Sequence, residues 1–129
     1  MNATLKSKLR RELRARRQSL SEDQQTIAAK QSTQRLIRLP AFRCARHIAA
    51  YIASDGEISP APLLRFAKLN AKHCYLPKIS RSATSNSMAF YPYHPRQALG
   101  PNRYGIGEPA GLRRQPRAPR KPDIVLLPL

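Results

Sequence analysis

Apolar residues recur every four positions near the start of the chain. Leu5, Leu9 and Leu13 fall on one side of a helix, because an α-helix repeats every 3.6 residues. Most positions around this stripe are cationic: Lys6, Lys8, Arg10, Arg11, Arg14, Arg16 and Arg17. The pattern predicts a first helix that is strongly basic and has a narrow apolar stripe.

A second helix is predicted to begin at Ser21. Gln24 follows three residues later, which is the spacing of a capping box, where two side chains and two backbone N–H groups at a helix start bond reciprocally. Pro40 is expected to stop this helix, because proline disfavours helical geometry in the residue before it. Residues 1–40 are therefore interpreted as a helical segment.

Short apolar runs replace the helical pattern after this segment. Residues 47–53 and 73–77 are rich in β-forming residues, and a helical stretch that opens at Pro60 separates them. A strand, a helix and a strand at this spacing predict a right-handed βαβ unit with parallel strands.

Two further strands are predicted in the rest of the chain. They lie at residues 88–91 and 123–127, and the Pro-, Gly- and Arg-rich stretch 92–122 between them shows no clear period. Residues 47–129 are thus interpreted as a sheet-forming part that completes one domain over residues 1–129, since a chain of this length fits a single domain.

The charge balance indicates an anionic partner. The chain has 24 Lys and Arg against 7 Asp and Glu, which gives a net charge of +17. Such a field attracts nucleic acid, nucleotide phosphates or other polyanions. The basic stretch 113–121 has no interleaved aromatic residues, which weakens a single-stranded nucleic-acid interpretation without removing it.

The cysteines and the hydropathy argue against a zinc protein and against a membrane protein. Cys44 and Cys74 are far apart and lack the spacing of a zinc site, so we interpret both as reduced core thiols and expect no metal site of this kind. No apolar run approaches the roughly 18 residues of a membrane span, and no apolar segment follows the basic start. We expect a cytoplasmic protein without membrane contact.

Candidate ligand-binding residues lie in the first helix and after the first strand. Lys6 and Arg10 are four apart on one helix face, where a triphosphate would relieve their repulsion; the alternative is a solvated basic face. Glu57 follows a tight turn at a strand end, and its carboxylate suits ring N–H groups; the alternative is a surface acid. Ile52 is a candidate for lining the same pocket; the alternative is an ordinary core residue. Tyr104 is a candidate for stacking on a flat ring; the alternative is a structural turn.

Taken in series, these segments resemble the N-terminal part of 5-formyltetrahydrofolate cyclo-ligases. The segments occur along the whole chain in the order that the family has them. They are the first helix with its Lys6-x-x-x-Arg10 spacing, the strand and turn 51–58, the strand residues 75–77, the Tyr-Gly-Ile-Gly-Glu-Pro loop 104–109 and the strand 123–128.

The resemblance implies a fold and an activity. The expected fold class is α/β, a three-layer domain with a mostly parallel sheet, incomplete at the C-terminus and preceded by two N-terminal helices. The expected reaction converts 5-formyltetrahydrofolate to 5,10-methenyltetrahydrofolate while ATP becomes ADP and phosphate, with magnesium as cofactor. Phosphorylation turns the formyl oxygen into a good leaving group, so positioning and charge neutralisation are the enzyme's main contribution.

The resemblance also assigns roles to individual residues. Lys6 and Arg10 match the ATP-contacting segment, and Ile52, Glu57 and Tyr104 match positions that contact the folate. We expect the cationic helix and Glu57 to face one cleft. No catalytic residue is assigned.

The sequence departs from the family after the last predicted strand. The family continues there with a glycine-rich segment whose backbone N–H groups hold phosphates and whose acid serves the metal. The 129 residues contain no such segment after residue 123, and Gly105 and Gly107 precede the strand. We therefore expect a C-terminally truncated chain with impaired activity and no magnesium ligand.

Two other interpretations stay open. One is a basic nucleic-acid-binding α/β protein, favoured by the charge, and the other is an inactive remnant that folds poorly. On the cyclo-ligase interpretation the partners are the two small-molecule substrates, and we expect a monomer.

Overall fold

The computed structural model describes residues 2–79, 88–96, 99–101, 107–109 and 121–128. Its helices are α1 (Ala3–Gln18), α2 (Glu22–Leu36), α3 (Pro40–Cys44) and α4 (Ala61–Leu69). Its strands are β1 (His47–Ala49), β2 (His73–Ile79), β3 (Met88–Tyr93), β4 (Leu99–Pro101), β5 (Gly107–Pro109) and β6 (Ile124–Val125). The α/β class with two N-terminal helices is confirmed.

Side-chain caps fix the starts of the first two helices. The Asn2 side chain accepts a hydrogen bond from the Leu5 N–H at 2.8 Å. The predicted capping box is present: the Gln24 N–H donates to the Ser21 hydroxyl at 3.1 Å, and the Ser21 N–H donates to the Gln24 side chain at 2.9 Å. Pro40 lies in the first turn of α3, where its missing N–H costs nothing.

The main sheet has four strands in the order β3-β2-β1-β6. β1 pairs in parallel with β2 and with β6, whereas β3 runs antiparallel to β2. The parallel β1-α4-β2 pairing agrees with the predicted βαβ unit, and the antiparallel β3 makes the sheet mixed. A separate antiparallel pair, β4 and β5, lies within the stretch that showed no period in sequence.

The core lies between the sheet and helices α3 and α4. Its largest fully buried side chains are Ile48, Leu63, Leu64, Cys74 and Leu76. In contrast, α1 has no buried side chain. The first helix is therefore an outer element, and its position depends on polar contacts rather than on burial of its leucines.

The two cysteines occupy different environments. Cys74 is buried, and this burial raises the pKa of its thiol. Cys44 is exposed at the end of α3, so the interpretation of both cysteines as core thiols is wrong for Cys44. Helix α3 has only five residues, and it buries Phe42 rather than Cys44.

The part of the chain that the structure describes contains no candidate membrane-spanning helix. None of the helices there has both the length and the apolar content to cross a bilayer.

Asp123 joins the start of β6 to β1. Its carboxylate accepts hydrogen bonds from the Arg46 N–H at 2.8 Å and the His47 N–H at 2.9 Å. Its own N–H donates to the His47 carbonyl at 2.9 Å. The two accepted bonds stabilise the charged form and lower the pKa of Asp123.

Replacing Asp123 with asparagine is expected to destabilise the fold at pH 7. The folded-state pKa lies below the unfolded one, so the carboxylate stabilises the fold above the unfolded pKa of about 4. This stabilisation is lost as the pH falls through the folded-state pKa. Urea unfolding at steps from pH 7 to pH 3 should therefore show a deficit that shrinks in acid. The exposed Asp23→Asn serves as control, and a deficit of the same size at every pH would contradict the account.

Candidate functional site

A tight turn follows β1 and forms the centre of the candidate site. Asp55 and Gly56 have φ of 54° and 77°, so both lie in the left-handed region. The Glu57 N–H donates to the Ser54 carbonyl at 3.0 Å and closes the turn. The Ser54 N–H donates to Glu57 Oε2, also at 3.0 Å, which fixes the carboxylate over the turn.

The end of α1 is bound to this turn through Asp55. Arg17 donates from Nε to the Asp55 carbonyl at 2.8 Å and from Nη2 to its carboxylate at 2.9 Å. Arg14 Nε lies 2.6 Å from the same carboxylate, and the Gln18 amide donates to its other oxygen. The Gln18 bond, with those of Arg14 and Arg17, lowers the pKa of Asp55. A single acid thus holds the basic helix against the end of the sheet.

Gly56 allows the backbone of α1 to approach closely. A Cβ atom at this position would lie 2.9 Å from the Arg17 carbonyl oxygen, a distance too short for a carbon side chain. The glycine is therefore required both by its positive φ and by the adjacent helix.

One cavity opens on the α2 side of the turn. It has a volume of about 600 Å³ and lies between α2, the turn and the first residues of α4. The charged side chains that line it are Glu22, Lys30, Asp55, Glu57 and Arg65. Glu57 therefore lines a space that contains several charged groups and is large enough for a small heterocycle.

A second cavity opens on the α1 side of the same turn. Its volume is about 810 Å³, and its lining combines arginines with apolar side chains. These residues are Arg10, Leu13, Arg14, Arg16, Arg17, Leu20 and Ile58, together with Asp55 and Gly56. Because Asp55 and Gly56 also line the first cavity, the two spaces adjoin across the turn.

The structure brings together two of the five residues singled out from the sequence. Arg10 and Glu57 line adjoining cavities on opposite sides of the Asp55–Gly56 turn, rather than one common cleft. Lys6 is exposed and lines neither cavity. Ile52 is half-buried and packs against the core cluster. Tyr104 lies outside the described residues.

Lys6 and Arg10 in the N-terminal half of α1 have no acidic partner within the described part of the chain, whereas Arg14 and Arg17 are both engaged by Asp55. An anion in the second cavity would therefore meet Arg10 without first breaking an ion pair.

Two contributions to the site were not identified from sequence. Asp55 lies in the tight turn before Glu57, and no sequence pattern indicates that the Arg14, Arg17 and Gln18 side chains converge on it. Tyr51 donates its hydroxyl to the Ile58 carbonyl. Burial and, secondarily, the Glu57 charge raise the pKa of Tyr51, which places a neutral phenol next to the turn.

Among the described residues, no group of three His, Cys, Asp or Glu side chains is arranged to hold a metal ion. The site as described combines arginines that suit an anion with the Glu57 carboxylate, which suits N–H donors.

Comparison with known proteins identifies the family of this chain. A sequence profile of the 5-formyltetrahydrofolate cyclo-ligase family matches residues 2–129. The chain therefore belongs to the 5-formyltetrahydrofolate cyclo-ligase family.

Curated relatives show how much of the family's length is present. A 5-formyltetrahydrofolate cyclo-ligase of Haemophilus influenzae is 34% identical over 109 residues, covering 84% of this chain and 58% of the relative. One from Escherichia coli K12 is 30% identical over 117 residues, covering 91% and 64%. The chain thus spans about three fifths of the length of these relatives.

Solved structures support the same fold. The 5,10-methenyltetrahydrofolate synthetase of Aquifex aeolicus is similar with a TM-score of 0.75 at 30% identity, covering 94% of this chain and 59% of that one. The Mycoplasma pneumoniae synthetase has a TM-score of 0.57 at 22% identity, over 68% of this chain and 53% of its own. The second comparison supports the fold alone.

Proposed function

We propose that this chain forms the N-terminal part of an ATP-dependent 5-formyltetrahydrofolate cyclo-ligase. The reaction converts 5-formyltetrahydrofolate to 5,10-methenyltetrahydrofolate and turns ATP into ADP and phosphate. One observation carries the proposal beyond family membership: Arg10 and Glu57 line cavities that share the Asp55–Gly56 turn. An anion-binding group and a hydrogen-bond acceptor therefore adjoin, as two substrates that react together require.

The proposed ATP-binding residues are Lys6 and Arg10. Both are cationic and, among the described residues, free of acidic partners, so neither must give up an ion pair to bind phosphate. Arg10 offers a planar fork of N–H donors to phosphate oxygens, and Lys6 offers a point charge one helical turn earlier. Their role is to neutralise the charge of the transferred phosphoryl group.

The proposed folate-binding residues are Ile52, Glu57 and Tyr104. Glu57 Oε2 accepts the Ser54 N–H, which holds the carboxylate in one orientation and leaves Oε1 for N–H groups of the pterin. Ile52 would contribute apolar contact in the segment that follows β1, and Tyr104 would stack on a flat ring. These three assignments rest on the family resemblance and on the position of Glu57.

The chemistry requires activation of the formyl oxygen. ATP transfers its γ-phosphoryl group to that oxygen, and the neighbouring folate nitrogen attacks the activated carbon. Phosphate then leaves with the former formyl oxygen, and the five-membered ring closes. In this scheme the chain's residues position the folate and neutralise phosphate charge. No step is assigned to magnesium.

We also propose that the 129-residue polypeptide turns over weakly by itself. Its sequence contains no glycine-rich run after the β6 segment, so backbone N–H groups of that kind are not available to the phosphates. Folate binding at Glu57 does not depend on such a run.

One experiment with two measurements on the purified 129-residue chain tests these proposals. Saturating 5-formyltetrahydrofolate is expected to raise the melting temperature, because a ligand that binds only the folded state stabilises it. With ATP and Mg²⁺ added, methenyltetrahydrofolate absorbance is expected to rise only slowly. Absence of any thermal stabilisation would contradict the substrate assignment. Robust ATP-dependent turnover would contradict the proposed impairment.

Nucleic-acid binding is a second candidate, favoured by the exposed cations of α1. Binding through such cations would weaken steeply as salt rises, because it depends on counterion release. Folate binding would instead depend on Glu57 and tolerate salt. Salt titration of each interaction distinguishes the two candidates.

A further inference from the structure

A separate cavity lies at the edge of the sheet opposite to the candidate site. It has a volume of about 450 Å³, and its lining combines the side chains of Arg38, Arg43 and Lys72 with the rings of Phe42 and Phe66. Arg43 and Lys72 come shortly before β1 and β2, whereas the turn of the candidate site follows β1. Because β1 and β2 are parallel, the cavity and the turn lie at opposite ends of these strands. We call this space the amino-edge cavity.

Acids do not balance the positive charge of the amino-edge cavity. No Asp or Glu side chain is among the described residues that line it. Arg38 and Arg43 are exposed, and neither forms an ion pair within the described part of the chain. Asp123, an acid at the same edge of the sheet, accepts hydrogen bonds from two backbone N–H groups instead. An anion would therefore meet two arginines without displacing an acid from either.

Lys72 fixes one wall of the cavity. Its Nζ donates to the Arg43 carbonyl at 3.0 Å and to the Ala45 carbonyl at 2.6 Å. The same ammonium lies 5.0 Å from the centre of the Phe42 ring, in a cation–π contact. These contacts join the residue before β2 to the end of α3, and they offset the negative C-terminal end of that helix. The cavity is thus formed before any ligand enters.

Aromatic surface and a helix cap form the rest of the wall. The ring centroids of Phe42 and Phe66 are 6.1 Å apart, with the planes tilted by 41°. Phe42 is buried, whereas Phe66 is half-buried and gives a flat ring a surface to pack on. Asn70 donates from its backbone N–H and its side-chain amide to the Phe66 carbonyl, at 3.1 Å and 2.8 Å. This capping satisfies the last turn of α4, so its carbonyl does not compete with an anion.

We propose that the amino-edge cavity is a second ligand site, which binds a small aromatic phosphate monoester. Such a ligand carries a charge of about −1.5 to −2 at neutral pH, which suits three cations without an acid. Its phosphate lies between Arg38 and Arg43, and its ring packs on Phe66. Inorganic phosphate would leave the aromatic wall unused, and an uncharged ring would leave the arginines unpaired. None of the residues that line this cavity lines the two cavities beside the Asp55–Gly56 turn.

Calorimetric titration of 1-naphthyl phosphate into the purified 129-residue chain is the test. The wild type is expected to bind it at least roughly tenfold more tightly than inorganic phosphate, because the naphthyl ring adds apolar contact. Arg38→Gln/Arg43→Gln should weaken binding at least roughly tenfold, because charge-assisted hydrogen bonds are lost. Lys8→Gln/Arg11→Gln is the matched control. It removes the same two charges from exposed positions of α1 and should bind as the wild type does.

Four results would overturn the proposal. They are no binding of naphthyl phosphate by the wild type, equal affinity for naphthyl phosphate and inorganic phosphate, and equal weakening in the two double variants. The fourth is binding that Arg10→Gln abolishes and Arg38→Gln/Arg43→Gln leaves unchanged, which would place the phosphate beside α1 instead.

Two further measurements complete the design. A labelled oligothymidylate that binds through Arg38 and Arg43, while naphthyl phosphate does not bind, would show a nucleic-acid surface and overturn the proposal. Thermal melts establish that the double variants fold, since all four substituted side chains are exposed. The proposal does not depend on folate binding. A failed 5-formyltetrahydrofolate experiment with normal binding of naphthyl phosphate would therefore remove the proposed function alone.

Discussion

Replacing Gly56 with valine is expected to separate α1 from the sheet. Gly56 has a φ of 77°, where a residue with a Cβ atom costs roughly 1–2 kcal/mol. The new Cβ would also lie 2.9 Å from the Arg17 carbonyl oxygen, and a backbone atom of a helix cannot move aside cheaply. Relief of this clash displaces the last turn of α1 and with it the Arg17 bonds to Asp55.

Hydrogen exchange of the α1 amides measures this separation. In the Gly56→Val variant these amides should exchange much faster, while those of β1 and β2 stay protected. Ala71→Gly is a suitable comparison, because Ala71 also has a positive φ of 57° and is not adjacent to α1. That variant should leave α1 protection unchanged. Wild-type protection of α1 in Gly56→Val would show that the turn does not hold the helix.

Truncating Leu76 to alanine is expected to have the largest effect on global stability. Leu76 is in the middle of β2 and its side chain is fully buried in the main core cluster. Loss of a buried leucine costs about 2–5 kcal/mol, because transfer free energy is lost and a cavity is left. Since small domains are stable by only about 5–15 kcal/mol, this change brings the chain close to unfolding.

Urea unfolding followed by circular dichroism measures the effect. Leu69→Ala provides a control with the same chemical change, because Leu69 is 87% exposed. The control should unfold within about 0.5 kcal/mol of the wild type. Equal effects of the two truncations, or no cooperative transition in the wild type, would contradict the described core. The second outcome would favour the poorly folded remnant instead.

Sequence reasoning succeeded where the determining interactions are local. The Ser21–Gln24 capping box follows from a spacing of three residues, and the parallel β1-α4-β2 unit follows from the succession of strand, helix and strand over residues 47–79; both are present. The first strand was predicted over residues 47–53, yet β1 ends at Ala49. An apolar run shows which residues avoid water, but it does not show where the backbone leaves the sheet.

The candidate site is harder to predict from sequence, because it depends on contacts between residues that are far apart in the chain. Asp55 meets Arg17 across 38 positions of sequence, and no local pattern predicts that pairing. Helical spacing placed Lys6 and Arg10 on one face correctly, but only the position of α1 on the turn decides which of them lines a cavity. Burial of Ile52 against the core likewise depends on how the strand end packs.

The central claim is that Glu57, on the turn that anchors the basic helix, binds the folate. Calorimetric titration of 5-formyltetrahydrofolate into the wild type, Glu57→Gln and Glu12→Gln tests it most directly. Glu12 is exposed on α1 and lines neither cavity. Glu57→Gln should weaken binding by roughly tenfold or more, because hydrogen bonds to a charged acceptor contribute about 1.5–3 kcal/mol. Glu12→Gln should bind as the wild type does. Equal affinity of the wild type and Glu57→Gln would contradict the claim.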